Sequence, residues 1–123
     1  MRRRRKSAKN AQLLLFYIFI KKGGLLMLES RFQAKLIKKI KEEYPGCIIM
    51  KNDPTYIQGI PDLVILYENK WASLECKKDA RASHQPNQDY YVDQMNKMSF
   101  SSFIYPENEK EVLEKMRHSF NND

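Results

Sequence analysis

Asp62, Glu75 and Lys77 are residue types that together can bind a divalent cation and act on a phosphate ester. Mg²⁺ prefers oxygen ligands and commonly uses one or two carboxylates together with substrate phosphate. The backbone carbonyl of Cys76 is a further candidate ligand. A lysine beside such an ion can orient or deprotonate its water and neutralise phosphate charge. The chemistry indicated is metal-assisted hydrolysis of a phosphodiester bond.

These side chains meet only if the chain between them forms a tight hairpin. Residues 68–69 separate two strand-like segments, and we expect a two-residue loop in which Asn69 takes the left-handed conformation. The register of that loop places Asp62 opposite Glu75, with Cβ atoms about 4.5–5.5 Å apart. Like charges in such positions destabilise a sheet, and a shared cation would offset that cost. The alternative is a strand end where Asp62 lies in solvent and Glu75 pairs with Lys77.

The elements around these residues follow from hydrophobic periodicity and from the positions of proline and glycine. They predict a single α/β domain with the element order α-β-β-β-α-β-α. Pro86 suits the first turn of the second helix, and Pro45-Gly46 ends the first. The predicted helices span 29–44, 86–98 and 107–116, and the predicted strands span 47–50, 61–67, 71–77 and 100–105. The strand at 47–50 is apolar and is predicted to be buried.

The third predicted strand alternates in polarity, which divides its side chains between two faces. Glu75 and Lys77 share one face with Trp71, whose role as core or dimer contact the sequence leaves open. Cys76 falls on the opposite face with its apolar neighbours. We therefore expect the Cys76 thiol to serve packing only.

Length and composition limit the possible classes of protein. The chain has 123 residues, of which 42% are hydrophobic, so it suits one folded domain and not a disordered protein. Its two cysteines are too few for a disulfide scaffold or a zinc site of four thiolates. The formal net charge is +7, but residues 1–26 carry eight basic residues and no acidic one. The remainder, with 14 basic and 15 acidic residues, is nearly neutral.

The basic leader resembles the start of a secretory signal without matching one. An apolar run at 13–20 follows the Arg2–Lys6 run, but Lys21 and Lys22 end it and no small-residue cleavage site follows. Eight apolar residues are also far short of the roughly 20 that span a membrane. We expect residues 1–26 to lie outside the domain at 27–123, with Met27 as the true first residue. Without an export signal, a cytoplasmic location is expected.

The motif residues resemble those of the VRR-NUC family, virus-type replication-repair nucleases of the PD-(D/E)xK superfamily. Asp62 with Glu75-Cys76-Lys77 is similar to the superfamily signature, and Gly59-Ile60-Pro61-Asp62-Leu63 is similar to the family's Gly-x-Pro-Asp-Leu. Two helix patterns agree as well. They are Gln88 followed by Tyr91, and Glu29 followed by Gln33. Gln58 departs from the pattern, since many relatives have a basic residue there.

The resemblance implies a restriction-endonuclease-like core, in which a mixed four-stranded sheet is flanked by helices. It implies Asp62, Glu75 and Lys77 as the catalytic set, with Mg²⁺ or Mn²⁺ as cofactor and Glu29 as an additional metal or water ligand. Gln88 would brace the site from the second helix. Tyr91 would pack beside the site or contact substrate.

The resemblance further implies an endonuclease that acts as a homodimer on branched DNA, such as four-way junctions, in phage or bacterial replication, repair or recombination. Lys51, Lys78 and Arg81 are candidate phosphate contacts, although charged residues in turns are more often simply solvated. The alternative function is a non-catalytic nucleic-acid-binding protein with the same fold, which uses the basic leader as an electrostatic arm.

Overall fold

The computed structural model describes residues 10, 12–13 and 28–122. The described helices are α1 (28–43), α2 (Pro86–Met98) and α3 (Glu109–Asn121), and the described strands are β1 (Ile48–Lys51), β2 (Leu63–Tyr67), β3 (Lys70–Cys76) and β4 (Phe100–Ile104). The predicted order α-β-β-β-α-β-α is confirmed over this part of the chain. Most of the leader at 1–26, and Met27, lie outside the described residues.

The strands form one open sheet in the order β1-β2-β3-β4. The first three strands are antiparallel, and β4 runs parallel to β3. A parallel neighbour requires a crossover connection, which α2 provides between β3 and β4. The chain is thus an α/β domain with a mixed four-stranded sheet.

The two faces of the sheet are covered by different helices. Leu36 of α1, Leu74 of β3 and Met116 of α3 are fully buried members of one hydrophobic core. On the opposite face the Ser73 hydroxyl contacts Met95 Sδ of α2 at 3.7 Å. The side chains of β3 are therefore buried on both faces of the sheet. This includes its alternating polar residues, such as Ser73 and Glu75.

The register of the β2–β3 hairpin is confirmed. Tyr67 pairs with Lys70 and Leu63 pairs with Leu74, as a two-residue loop requires. The loop conformation differs from the prediction, because the positive φ of 55° is at Glu68 and not at Asn69. A left-handed residue at either loop position allows the tight reversal, and sequence preference favoured the wrong one.

Two further predictions were wrong. β1 is not a buried strand, because it pairs only with β2 at the sheet edge and leaves the Ile48 side chain 60% exposed. α3 continues to Asn121, five residues past the predicted end, because Phe120 extends the apolar stripe begun by Val112 and Met116. Among the described residues, no helix is long and apolar enough to cross a membrane.

Candidate active site

Asp62 and Glu75 meet where β2 begins and β3 approaches its end. The Asp62 backbone N–H donates to Glu75 Oε2 at 3.2 Å, and the Cys76 backbone N–H donates to Asp62 Oδ2 at 2.9 Å. The hairpin register thus lets each carboxylate accept a hydrogen bond from a backbone N–H of the opposite segment. The alternative in which Asp62 lies in solvent does not describe this arrangement.

Burial and the neighbouring Asp62 oppose the ionisation of Glu75. The Glu75 side chain belongs to a residue only 3% exposed, and burial together with the negative charge of Asp62 raises the pKa of Glu75 to about 8. Burial also raises the pKa of Asp62, against the hydrogen bond from Cys76. At neutral pH and without a cation, the pair therefore retains a proton. A divalent cation can replace that proton and remove the repulsion.

Lys77 and Gln88 connect the carboxylates to α2. Lys77 is only 8% exposed, and its Nζ donates to Gln88 Oε1 at 2.7 Å and to the Ser83 carbonyl at 3.1 Å. Gln88 Nε2 in turn donates to Glu75 Oε1 at 3.1 Å. A single glutamine amide therefore fixes both the ammonium and the second carboxylate, and the ammonium contacts Gln88 in place of a direct pair with Glu75.

The first turn of α2 is held in place by the loop at 52–61. Gly59 has a φ of +89°, and a Cβ at that position would lie 2.4 Å from Asn87 Cβ. Only glycine permits both the left-handed backbone and this close approach. The Gln85 backbone N–H donates to Gln88 Oε1 at 2.9 Å, which further fixes the glutamine amide. Gly59 is thus explained by the need to seat Gln88 next to the carboxylates.

An open cleft of about 490 Å³ lies beside these residues. Its lining residues are Glu29, Lys77, Lys78, Arg81, Ala82, Ser83 and Gln85. Glu29 is half-buried, and burial and the charge of Asp62 raise its pKa. The structure thus places Glu29, Lys78 and Arg81 in the same cleft as Lys77.

Three other predicted residues are not among the described residues that line the cleft. Lys51 ends the edge strand and Tyr91 lies on α2, and neither is among the described residues that line the cleft. The Cys76 side chain is fully buried, and burial raises the pKa of its thiol to about 12, consistent with a packing role. Its backbone N–H serves Asp62, while its carbonyl stays a candidate ligand only.

The donor atoms suit a hard divalent cation with few protein ligands. Within residues 28–122 and the three described leader residues, no group of three or more His, Cys, Asp or Glu side chains is arranged to hold a metal. The site offers instead the Asp62 and Glu75 oxygens, with Glu29 nearby on the cleft wall. Two carboxylates with substrate phosphate is a usual set for Mg²⁺, so the residues fit that ion.

Sequence reasoning missed the loop that joins β3 to α2. The Ser83 carbonyl holds Lys77, and His84 between Ser83 and Gln85 is fixed by two contacts. Its ring stacks on Phe103 with centroids 4.0 Å apart, and its Nδ1 lies 2.9 Å from Asp89 Oδ1. A main-chain carbonyl has no signature in sequence. For His84, the only indication in the sequence was that it lies two residues before Pro86 and four before Gln88.

Comparisons of the chain with protein-family models, with curated proteins and with solved structures gave no match. The likeness to the VRR-NUC family therefore depends on the motif residues themselves.

Proposed function

We propose that this chain is a divalent-metal-dependent endonuclease that hydrolyses DNA phosphodiester bonds, with a restriction-endonuclease-like core of the VRR-NUC type. The observation that carries the proposal is the pair of half-buried Asp62 and buried Glu75, placed next to buried Lys77 at one end of the sheet. Burial and the charge of Asp62 raise the pKa of Glu75, so an ionised Glu75 reduces the stability of the apo fold, and cation binding would offset this cost. A binding protein without catalytic activity has no need of this cost.

Each residue of the site has a distinct task. Asp62 and Glu75 would provide the oxygens that hold Mg²⁺ or Mn²⁺. Such an ion polarises a phosphate and lowers the pKa of water near it. Lys77 presents its ammonium to the phosphate and to the attacking water, and Gln88 holds that ammonium at a fixed position. Glu29 on the cleft wall orients a water molecule or accepts a proton from it.

The cleft also accounts for substrate binding. Lys78 and Arg81 line the same cleft as Lys77, so a DNA backbone that reaches Lys77 would pass close to them. Phosphate contacts of this kind position a duplex without reading its sequence. We therefore propose selection by DNA structure, with branched DNA as substrate and a homodimer as the active form. Both follow from the family resemblance.

A nicking assay with the full chain tests the proposal. Supercoiled plasmid and matched linear, flap and four-way-junction DNA are incubated with Mg²⁺, with Mn²⁺ or with chelator. We expect metal-dependent nicking that Asp62→Asn and Lys77→Ala each reduce at least about 100-fold. Matched controls are Asp93→Asn and Lys97→Ala, an exposed pair on α2, which should leave the rate unchanged.

The possible outcomes separate the two functions. Cleavage that survives both active-site substitutions would reject the site. DNA binding without cleavage in any divalent metal would favour the non-catalytic nucleic-acid-binding protein. Light scattering of the same preparation measures the oligomeric state.

A further inference from the structure

A second concave site lies on the loop that leads from β1 to Asp62. Five residues of this loop line a depression of about 320 Å³. They are Asn52, Asp53, Tyr56, Ile57 and Ile60. The lining thus combines one aromatic ring and two aliphatic side chains with an amide and a carboxylate. This mixture resembles neither a hydrophobic core nor an ordinary solvated turn.

Tyr56 is the most exposed large apolar side chain among the described residues, at 86%. A tyrosine ring usually buries most of its area, because apolar surface in water is unfavourable. Here the ring lines a depression that is also lined by Ile57 and Ile60. A flat ligand placed in the depression would remove apolar surface of all three side chains from water.

The turn that presents Tyr56 is held by its own hydrogen bonds. Asp53 Oδ1 accepts from the Thr55 backbone N–H at 2.8 Å and from the Thr55 hydroxyl at 2.6 Å, which keeps the pKa of Asp53 below its ordinary value. The Tyr56 backbone N–H donates to the Asp53 carbonyl at 3.2 Å. A loop ordered before binding loses little conformational entropy when a ligand arrives.

The same loop is hydrogen-bonded to the two residues that lead into β2. The Asn52 backbone N–H donates to the Asp62 carbonyl at 2.8 Å, and the Asn52 side-chain amide donates to the Pro61 carbonyl at 2.8 Å. Gly59 contacts the first turn of α2 from the other end of the loop. Tyr56 and the carboxylate pair are therefore parts of one fixed unit.

We propose that Tyr56, with Ile57 and Ile60, forms a stacking site for an unpaired DNA base next to the strand that is cleaved. The inference rests on the proposed nuclease function, and it gives a physical reason why that nuclease would prefer branched DNA. Bases inside a continuous duplex stack on one another, whereas a base at a bulge, flap or junction is free to stack on an aromatic ring. The Asp53 carboxylate can accept from the amino group of such a base.

Binding measurements without metal test this site separately from cleavage. The full chain is titrated, in the presence of chelator, into a duplex with a short bulge that contains 2-aminopurine and into the same duplex fully paired. We expect Tyr56→Ala to weaken binding of the bulged DNA about tenfold and to leave the paired duplex within about twofold. Quenching of 2-aminopurine fluorescence should be lost with Tyr56→Ala and kept with Tyr56→Phe, which retains the ring.

Tyr90→Ala is the matched control, because Tyr90 is also well exposed but lies on α2 outside the depression. All variants keep the Arg2–Lys6 run, so its electrostatic contribution cancels in the comparison. Equal binding of bulged DNA by the wild type and Tyr56→Ala would overturn the proposal. An equal loss for bulged and paired DNA would overturn it too, as would a wild type that does not distinguish the two.

The outcomes separate this inference from the nuclease proposal. Quenching that depends on Tyr56, in a protein that never cleaves, would support the stacking site and reject the hydrolase. Cleavage by a protein in which Tyr56→Ala changes no binding constant would reject the stacking site alone.

Discussion

Replacement of Glu75 by glutamine should make the metal-free protein more stable at alkaline pH. The substitution keeps the size of the side chain but removes its charge from the buried pair with Asp62. Metal binding would suffer in the same variant, because one of the two carboxylates is gone. Stability of the apo protein and affinity for a cation are thus expected to change in opposite directions.

The size of the effect follows from the pKa of Glu75. Burial and the Asp62 charge raise this pKa from 4.5 to about 8, so its ionised form costs the fold at most about 5 kcal/mol. Glutamine recovers only part of this cost. It cannot accept from both Asp62 N–H and Gln88 Nε2, and one lost hydrogen bond costs about 1 kcal/mol. The amide N–H₂ of glutamine would also face one of these donors, and a buried donor without a partner costs about 1–3 kcal/mol. We expect a net gain of about 2 kcal/mol, or about 10 °C in Tm.

The pH dependence has a definite sign. The folded protein keeps the Glu75 proton up to about pH 8, whereas the unfolded chain loses it near pH 4.5. Unfolding between these values releases a proton, so this group's contribution makes wild-type stability fall as pH rises. The Glu75→Gln variant has no such proton. Its advantage should therefore be small at pH 5, grow up to about pH 8 and then stay constant.

Thermal melts followed by circular dichroism, with chelator present, measure this difference at pH 5 and pH 9. Glu42→Gln, at an exposed position on α1, is the matched control and should melt like the wild type at both pH values. Mg²⁺ at pH 8 should raise the Tm of the wild type and leave Glu75→Gln unchanged. A variant that melts below the wild type at pH 9, or a difference that is the same at both pH values, would refute the reasoning.

Three other changes test the supports of the site. Gly59→Ala should lower the nicking rate at least about tenfold by pushing α2 away, whereas Gly46→Ala, with a similar φ of +87° but open space around it, should affect stability only. Equal nicking by the two variants would contradict the contact with α2. Gln88→Ala should lower kcat about tenfold with unchanged DNA affinity, because Lys77 and Glu75 lose their common partner; a change in affinity alone would contradict this. Mn²⁺ affinity, measured by calorimetry, should rise about tenfold per pH unit from pH 6 to 8 and then level off, as Glu75 gives up its proton. A flat profile would argue against the shared proton.

The site's two-carboxylate centre could be predicted from the sequence because side chains in a strand alternate with a period of two. A two-residue loop then fixes the register of every pair between Leu63 and Leu74, and with it the meeting of Asp62 and Glu75. No comparable rule predicts from the sequence that Gln88 contacts this pair. It was expected only from the family resemblance.

Features that depend on distant neighbours were beyond the sequence. The burial of β1 depended on whether a further strand would pair with its free edge. Its apolar residues alone do not distinguish an edge strand from a central one. The Ser83 carbonyl that holds Lys77 is a backbone group, so any residue type could have supplied it. The exposure of Tyr56 likewise depends on how its loop folds over Asp53 and Asn52.

Diffraction from crystals soaked in Mn²⁺ is the most direct test of the proposed metal site at Asp62 and Glu75. The anomalous signal of manganese locates the ion without any assumption about activity. We expect one strong peak at about 2 Å from carboxylate oxygens of both residues, with Lys77 beside it, and no peak in the Asp62→Asn variant. A peak elsewhere in the protein, or carboxylates that stay in direct contact with no ion between them at saturating Mn²⁺, would contradict the proposed hydrolase.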